Sequence, residues 1–190
     1  MPNDHHHDQP CVALYWDFEN LHAGLVEARF GEGHYTKPDV RFKPQEPLVD
    51  VPAIAALAAA LGPVAIHRAY ANWQFFGRYR DALLHSGMEL VQLFPPGAAA
   101  KNGADIRLCL DTQEDIARFP HIGTVVIVGG DSDFMPLAQK IKAAGRQLVG
   151  VGTRKNTNRH WASSCHAFHF YEDLGLAEPG GAVPSGDGES

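Results

Sequence analysis

The chain has 190 residues, of which 45% are hydrophobic and 20% charged; this excludes a disordered chain, a coiled coil and a collagen-like fibre, and suits one globular domain with its own core. The net charge is −6, so bulk charge does not advertise nucleic-acid binding. No apolar run approaches the roughly 20 residues that span a bilayer, the polar opening MPNDHHHDQP lacks a secretory signal, and three scattered cysteines encode neither a disulfide framework nor a zinc site: the expectation is a cytoplasmic protein without a membrane partner.

In chain order, residues 1–10 read as a disordered tail in which His5, His6 and His7 lie among polar residues. VALYW (12–16) is a short apolar strand ending at Asp17. The segment 29–47 breaks the rhythm with three prolines, the bases Lys37, Arg41 and Lys43, and the aromatics Tyr35 and Phe42. A loop this long is functional or disordered, and a basic, aromatic insert suits contact with nucleic acid as well as it suits a floppy insertion. DVPAIAALAAALG (50–62) is a helix with Asp50 as N-cap and a glycine stop, and its alanine-rich stretch suits either core or a homodimer interface. PVAIHRAYA (63–71) is a second strand, GRYRDALLHSG (77–87) a helix, and MELVQLF (88–94) a third strand.

GADIRLCLDTQEDIARF (103–119) repeats Ile106, Leu110 and Ile116 at roughly helical spacing, which leaves Glu114 and Asp115 on a solvated face. TVVIVGG (124–130) is a fourth strand, and DFMPLAQKIKAAG (133–145) a helix with Pro136 in its first turn. QLVGVG (147–152) is a fifth strand, AFHFYE (167–172) an edge strand, and 175–190 a loose tail rich in Gly, Pro and Ser. Near-continuous apolar strands alternating with helices predict an α/β protein, a mainly parallel sheet between two helix layers, over 11–174.

In such sheets, ligands bind beyond the carboxyl ends of the strands, where the strand order reverses. Acidic residues fall at such places: Asp17, with Glu19 and Asn20 behind it; Asp131 and Asp133 in VVIVGGDSDF; and Asp105 at the start of a helix. Asp17 and Asp131 meet if their strands are neighbours. Carboxylates crowded at one rim must protonate or bind a cation, and an all-oxygen set suits Mg²⁺ or Mn²⁺, which activate water for attack on a phosphodiester. Lys101, four residues before Asp105, can hold a phosphate or a metal-bound water. Each acid also has a plain structural role: Asp17 or the Asp131–Ser132–Asp133 run can cap the helix that follows, and Glu19 can pair locally. Asp111 is roughly 240° around a helix from Asp105 and so off its face. His67 and His85 have no evident partner.

Between Phe134 and Tyr171 there is no acidic residue, while Lys140, Lys142, Arg146, Arg154, Lys155 and Arg159 all fall there. One basic stretch in an acidic chain can be an ordinary solvated surface or a grip on an RNA backbone.

Three blocks in order, LYWDFENLH, KNGADIRLCLDTQEDI and VVIVGGDSDFMPLAQKIKAAGRQLVGVG, resemble the NYN domain, the PIN-like nuclease group that includes the LabA-like bacterial proteins. The resemblance covers about 11–174 and implies a three-layer α/β/α PIN-like Rossmannoid fold and metal-dependent ribonuclease activity. It implies an acidic site of Asp17, Asp105, Asp131 and Asp133 with Asn20 beside the first, and it adds Asp111 and Lys101 as family positions. The insert at 29–47 is longer than the family leads one to expect. The expected function is a Mg²⁺- or Mn²⁺-dependent endoribonuclease, with Ser132, Arg154 and Lys155 helping to hold the RNA. The alternatives are a catalytically silent module that binds RNA or protein, and a nucleotide-sugar transferase using the Asp-Ser-Asp run on a diphosphate.

Overall fold

The structure, a computed structural model, describes residues 9–94 and 103–175. The N-terminal histidines, Lys101 and most of the C-terminal tail lie outside the described residues. From Val12 to Trp16 every side chain is fully buried, because the strand β1 (Cys11–Asp17) runs through the middle of the sheet with helices on both faces. It is followed by α1 (Phe18–Phe30), α2 (Pro38–Arg41), α3 (Val51–Leu61), β2 (Val64–Ala71), α4 (Arg80–Ser86) and β3 (Glu89–Gln92). The second half contains α5 (Gly103–Arg118), β4 (Ile122–Val128), α6 (Met135–Ala143), β5 (Gln147–Gly152), α7 (Arg159–Ser164), β6 (Ala167–Phe170) and α8 (Tyr171–Leu174), with a 3₁₀ turn at Ser132–Phe134 leading into α6.

All described strand pairs are parallel, in the order β3-β2-β1-β4-β5-β6. The chain winds outward twice from the centre, so the order reverses between β1 and β4, where Trp16 stands beside Val128. The three-layer α/β/α PIN-like fold read from the sequence is thus present, and β6 occupies the edge.

Alternation along the strands sends side chains to two cores. Leu14, Trp16, Val126 and Val128 face the side covered by α1, α3 and α4, where Phe18, Ile54 and Tyr79 meet them. Ala13, Tyr15, Val125 and Ile127 face α5, α6 and α7 and pack with Leu108, Phe134 and Trp161. Each of these large apolar side chains contributes roughly 1.5–3 kcal/mol by leaving water. Asp50 caps α3 by accepting from the Ala53 N–H at 3.1 Å, as its sequence position predicts.

Three expectations change. First, Ile106 and Leu110 on α5 are 58% and 64% exposed, and the buried face is Asp105, Leu108, Thr112, Asp115 and Ile116. Asp115 is therefore not on a solvated face: the Tyr15 hydroxyl donates to it at 2.7 Å and Arg68 pairs with it, which together compensate a buried carboxylate. Second, of the two readings left open for the 29–47 insert, the floppy one falls: the insert is folded. Gln45 is buried and donates to the carbonyls of Val40 and Lys43, its side-chain oxygen meets His22, and Tyr35 is tucked in with its hydroxyl on Glu19. Third, His67 has a partner, the Trp16 indole N–H at 2.9 Å. Among the described residues no helix is long and apolar enough to cross a membrane.

Candidate metal centre

The site grows out of the two strand ends at the reversal point. Position 17 continues the Ala13–Tyr15 alternation toward the α5 side, so β1 delivers Asp17 to the rim, 7% exposed. At the end of β4 the chain turns through Gly129 and Gly130, and this turn tolerates no side chains. A Cβ on Gly129 would come within 2.7 Å of the Phe134 ring, and one on Gly130 within 2.5 Å of the Asn156 carbonyl oxygen. The turn is stitched down on every side: the Gly129 N–H donates to Val151 O, the Trp161 indole to Gly129 O and the Asn158 N–H to Gly130 O, all at 2.8–2.9 Å. Asn20 also reaches it from α1, its side-chain oxygen accepting from the Gly130 N–H at 3.4 Å. Asn20 thereby positions the Gly-Gly-Asp-Ser-Asp turn.

Asp131 then caps the 3₁₀ turn, accepting from the Asp133 N–H at 3.1 Å. Capping and site membership are compatible, since one carboxylate has room for both. Asp105, in the first turn of α5, reaches the same place from the neighbouring helix layer and is 5% exposed. One oxygen from each of Asp105, Asp131 and Asp133 lies within 4.8 Å of the other two. Asp17 stands beside this triad as a fourth carboxylate, in the lining of the same cleft as Asp105 and Asp131.

Metal-free, such crowding must be relieved by protons. Burial first, then the charge of Asp105, pushes the Asp17 carboxyl up to about 8. Burial also pushes Asp105 up to about 6, against the Ile106 N–H that lowers it, and the neighbouring Asp133 and Asp131 carboxylates add to the rise. The donor set is all oxygen, and burial together with neighbouring carboxylates raises two of its members, Asp17 and Asp105. That chemistry fits a hard divalent ion such as Mg²⁺ or Mn²⁺.

The triad opens on a cleft of about 390 Å³ that Asp17, Asp105 and Asp131 line from one side. The folded insert forms a wall, with Tyr35, Arg41 and Phe42; Glu19 braces that wall by accepting from the Tyr35 hydroxyl at 2.9 Å and pairing with Arg41 at 3.3 Å. The ends of β2 and β3 close the far side with Asn72, Phe75 and Phe94, the last 79% exposed. These three were missed from the sequence; the signal was their position just past strand carboxyl ends, the same rule that located the acids.

The remaining expected residues are spread around this centre. Ser132 is exposed at the start of the 3₁₀ turn. Asp111 accepts from the Tyr70 hydroxyl at 2.8 Å and from Arg107 at 3.2 Å, bracing α5 against β2. Lys155 is exposed on the turn that packs against Gly130. Arg154 directs its guanidinium into a two-bond pair with Asp173, at 2.6 and 2.8 Å. Arg146 donates to the carbonyls of Ile116 and Ile122 and ties α5 to β4. The basic stretch is thus divided between structural duty and free surface.

The NYN domain family matches residues 11–172, the whole span of strands and the centre they build. The chain belongs to the NYN domain family. This places the NYN domain described here in the PIN-like nuclease superfamily, whose members typically use divalent metals. An uncharacterized protein, MJ0482 of Methanocaldococcus jannaschii, is 26% identical over 104 residues, 55% of this chain and 40% of that protein. The chain therefore spans less than half the length of that relative. The crystal structure of a protein of unknown function, VPA0982 from Vibrio parahaemolyticus, shares the fold, with a TM-score of 0.68, 20% identity, and coverage of 92% of this chain and 98% of that one.

Proposed function

We propose that this NYN domain is a metal-dependent endoribonuclease that hydrolyses RNA phosphodiester bonds in the cleft above the acidic triad. The observation that carries the reading is the convergence of Asp105, Asp131 and Asp133 within 4.8 Å at the reversal point of the sheet, with Asp17 buried beside them. A binding module has no use for like charges held this close, since crowding them costs stability in the absence of a cation. The three triad carboxylates would hold Mg²⁺ or Mn²⁺, with Asp17 adding an oxygen donor from the cleft floor. A divalent ion bound there supplies Lewis-acid activation of water and neutralises charge on the reacting phosphate.

The other residues position the substrate. Arg41 and Phe42 on the insert, with Phe75 and Phe94 opposite, offer a cation and aromatic faces for a single strand, by charge and stacking. Ser132 and Lys155 flank the triad where backbone phosphates would pass. Asn20 keeps the acidic turn in place through Gly130. The preference for RNA over DNA follows family membership, and the assay therefore carries a DNA arm.

The test is cleavage of labelled single-stranded and hairpin RNA, and of the matching DNA, in Mn²⁺, in Mg²⁺ and with EDTA. Wild type runs beside Asp17→Asn and Asp131→Asn purified identically. Cleavage that needs metal and disappears in both variants supports the reading. Binding without cleavage in every lane would favour a silent RNA-binding module instead.

A further inference from the structure

A second groove, of about 450 Å³, runs between α5 and α6 on the side of the triad away from the aromatic cleft. We infer that it is a second nucleotide subsite, so that an RNA strand passes through the acidic centre and is held on both sides of the scissile phosphate. This rests on the ribonuclease reading above and specifies how that site takes its substrate.

Asp105 lines both cavities, which makes the groove continuous with the cleft across the triad. Its floor and sides come from Ile106, Cys109 and Leu110 on α5 and Pro136 and Leu137 on α6. Ile106 and Leu110 are more than half exposed although they neighbour charged groups. Large aliphatic side chains displayed in a concave surface beside a polar centre mark a contact surface for a ligand. The charges along the groove alternate in a way that selects the ligand. Asp105 and Asp133 line it on the side of the triad, and Lys140, in the second turn of α6, brings an ammonium to it. Carboxylates that would hold a divalent ion against one phosphate, an apolar floor, then an ammonium for the next phosphate match the order of groups along a nucleotide chain.

The two subsites differ in kind. The cleft presents the aromatic rings of Phe42, Phe75 and Phe94, on which bases stack; the groove presents aliphatic carbon, which covers a base without reading it. A strand held on both sides is cut internally, which is what an endonuclease requires. Lys142, two residues beyond Lys140 on α6, is exposed and lines neither cavity. It is the internal control.

The experiment measures binding of a fluorescein-labelled single-stranded oligoribonucleotide by anisotropy in EDTA over a series of salt concentrations, with Mn²⁺-dependent cleavage of the same RNA in parallel. Leu110→Glu, Lys140→Gln and Lys142→Gln are compared with wild type; all three positions are exposed, and unchanged melting temperatures establish folding. The expected result is about tenfold weaker binding for Leu110→Glu and for Lys140→Gln. Lys140→Gln should also lower the log–log salt slope by about 0.7, the loss of one phosphate contact on a single strand. Lys142→Gln should stay within about twofold of wild type. If wild type binds and cleaves RNA but the two groove variants bind as tightly as wild type, the subsite is wrong and the nuclease reading stands. If Lys142→Gln weakens binding as much as Lys140→Gln while Leu110→Glu has no effect, the strand follows diffuse charge and the groove is again refuted. If wild type neither binds nor cleaves, both readings fall.

Discussion

Asp17→Asn is expected to stabilise the metal-free protein at pH 8 while it abolishes cleavage. Asp17 is 7% exposed, and its carboxyl is pushed up to about 8 by burial and by Asp105. In the unfolded chain the same group releases its proton near pH 4. Above pH 8 both states are ionised, and the folded state carries the full cost of a buried, crowded carboxylate. As the pH falls from 8 toward 4, the folded protein takes up a proton that the unfolded chain does not hold, so stability rises. Each pH unit in that window is worth about 1.4 kcal/mol, which sets a ceiling of about 6 kcal/mol, and solvent relaxation around the cleft brings the expected gain to about 2–5 kcal/mol. Asparagine removes the charge while keeping the size and shape of the side chain. In a chain of this size about 1 kcal/mol moves Tm by roughly 2–4 °C. Thermal melts in EDTA should therefore place Asp17→Asn about 5–15 °C above wild type at pH 8 and close to it at pH 5. A variant that melts below wild type at pH 8, or by the same margin above it at both pH values, would refute the claim that this carboxylate is held at a cost for the sake of a cation.

The other expectations use the same geometry. Asp131→Asn keeps a side-chain oxygen able to cap the Asp133 N–H, so its stability should stay within about 1 kcal/mol of wild type while metal-dependent cleavage falls at least about a hundredfold; equal loss of stability and activity would contradict the assignment. Mn²⁺ must displace a proton from Asp17 below about pH 8 and from Asp105 below about pH 6, so calorimetric affinity should fall as pH drops from 8 to 5, by about tenfold per displaced proton per unit. A flat profile would argue against these two as ligands. Arg68→Ala leaves Asp115 buried with the Tyr15 hydroxyl as its remaining partner; urea unfolding should show a loss of about 3 kcal/mol, and a loss under about 1 would mean that water compensates the carboxylate. Gly130→Ala drives a methyl to 2.5 Å from the Asn156 carbonyl oxygen, which should cost about 1–3 kcal/mol and displace Asp131 and Asp133; unchanged Mn²⁺ affinity in that variant would show that the turn can give way.

The strand ends and the acids they carry were legible in the sequence because both obey local rules. A run such as VALYW or TVVIVGG is apolar throughout only if both faces are buried, and a polar residue directly after it lies at a sheet rim. That reasoning located Asp17, Asp131 and Asp133, and the pairing of β1 with β4 placed them together. Helix α5 was harder. The spacing of Ile106, Leu110 and Ile116 marks it as a helix, but the buried face runs through Asp105, Leu108, Thr112, Asp115 and Ile116. Periodicity identifies a helix and not the partner of each face, and here Tyr15 and Arg68, distant in sequence, decide that a carboxylate turns inward while Ile106 and Leu110 border a groove. The insert shows the same division. Its bases and aromatics were visible as composition, yet only tertiary contacts fold it: Gln45 satisfies three partners from residues 22, 40 and 43, and Glu19 gathers Tyr35 and Arg41 into a wall of the cleft. The sequence by itself determined the elements, their order and the residues at the strand ends, since these depend on short-range sterics and on burial of neighbouring positions. The tertiary structure alone decided which carboxylates converge, which charges are spent on bracing and which surfaces remain open, because each of those is settled by pairs of groups brought together from opposite ends of the chain.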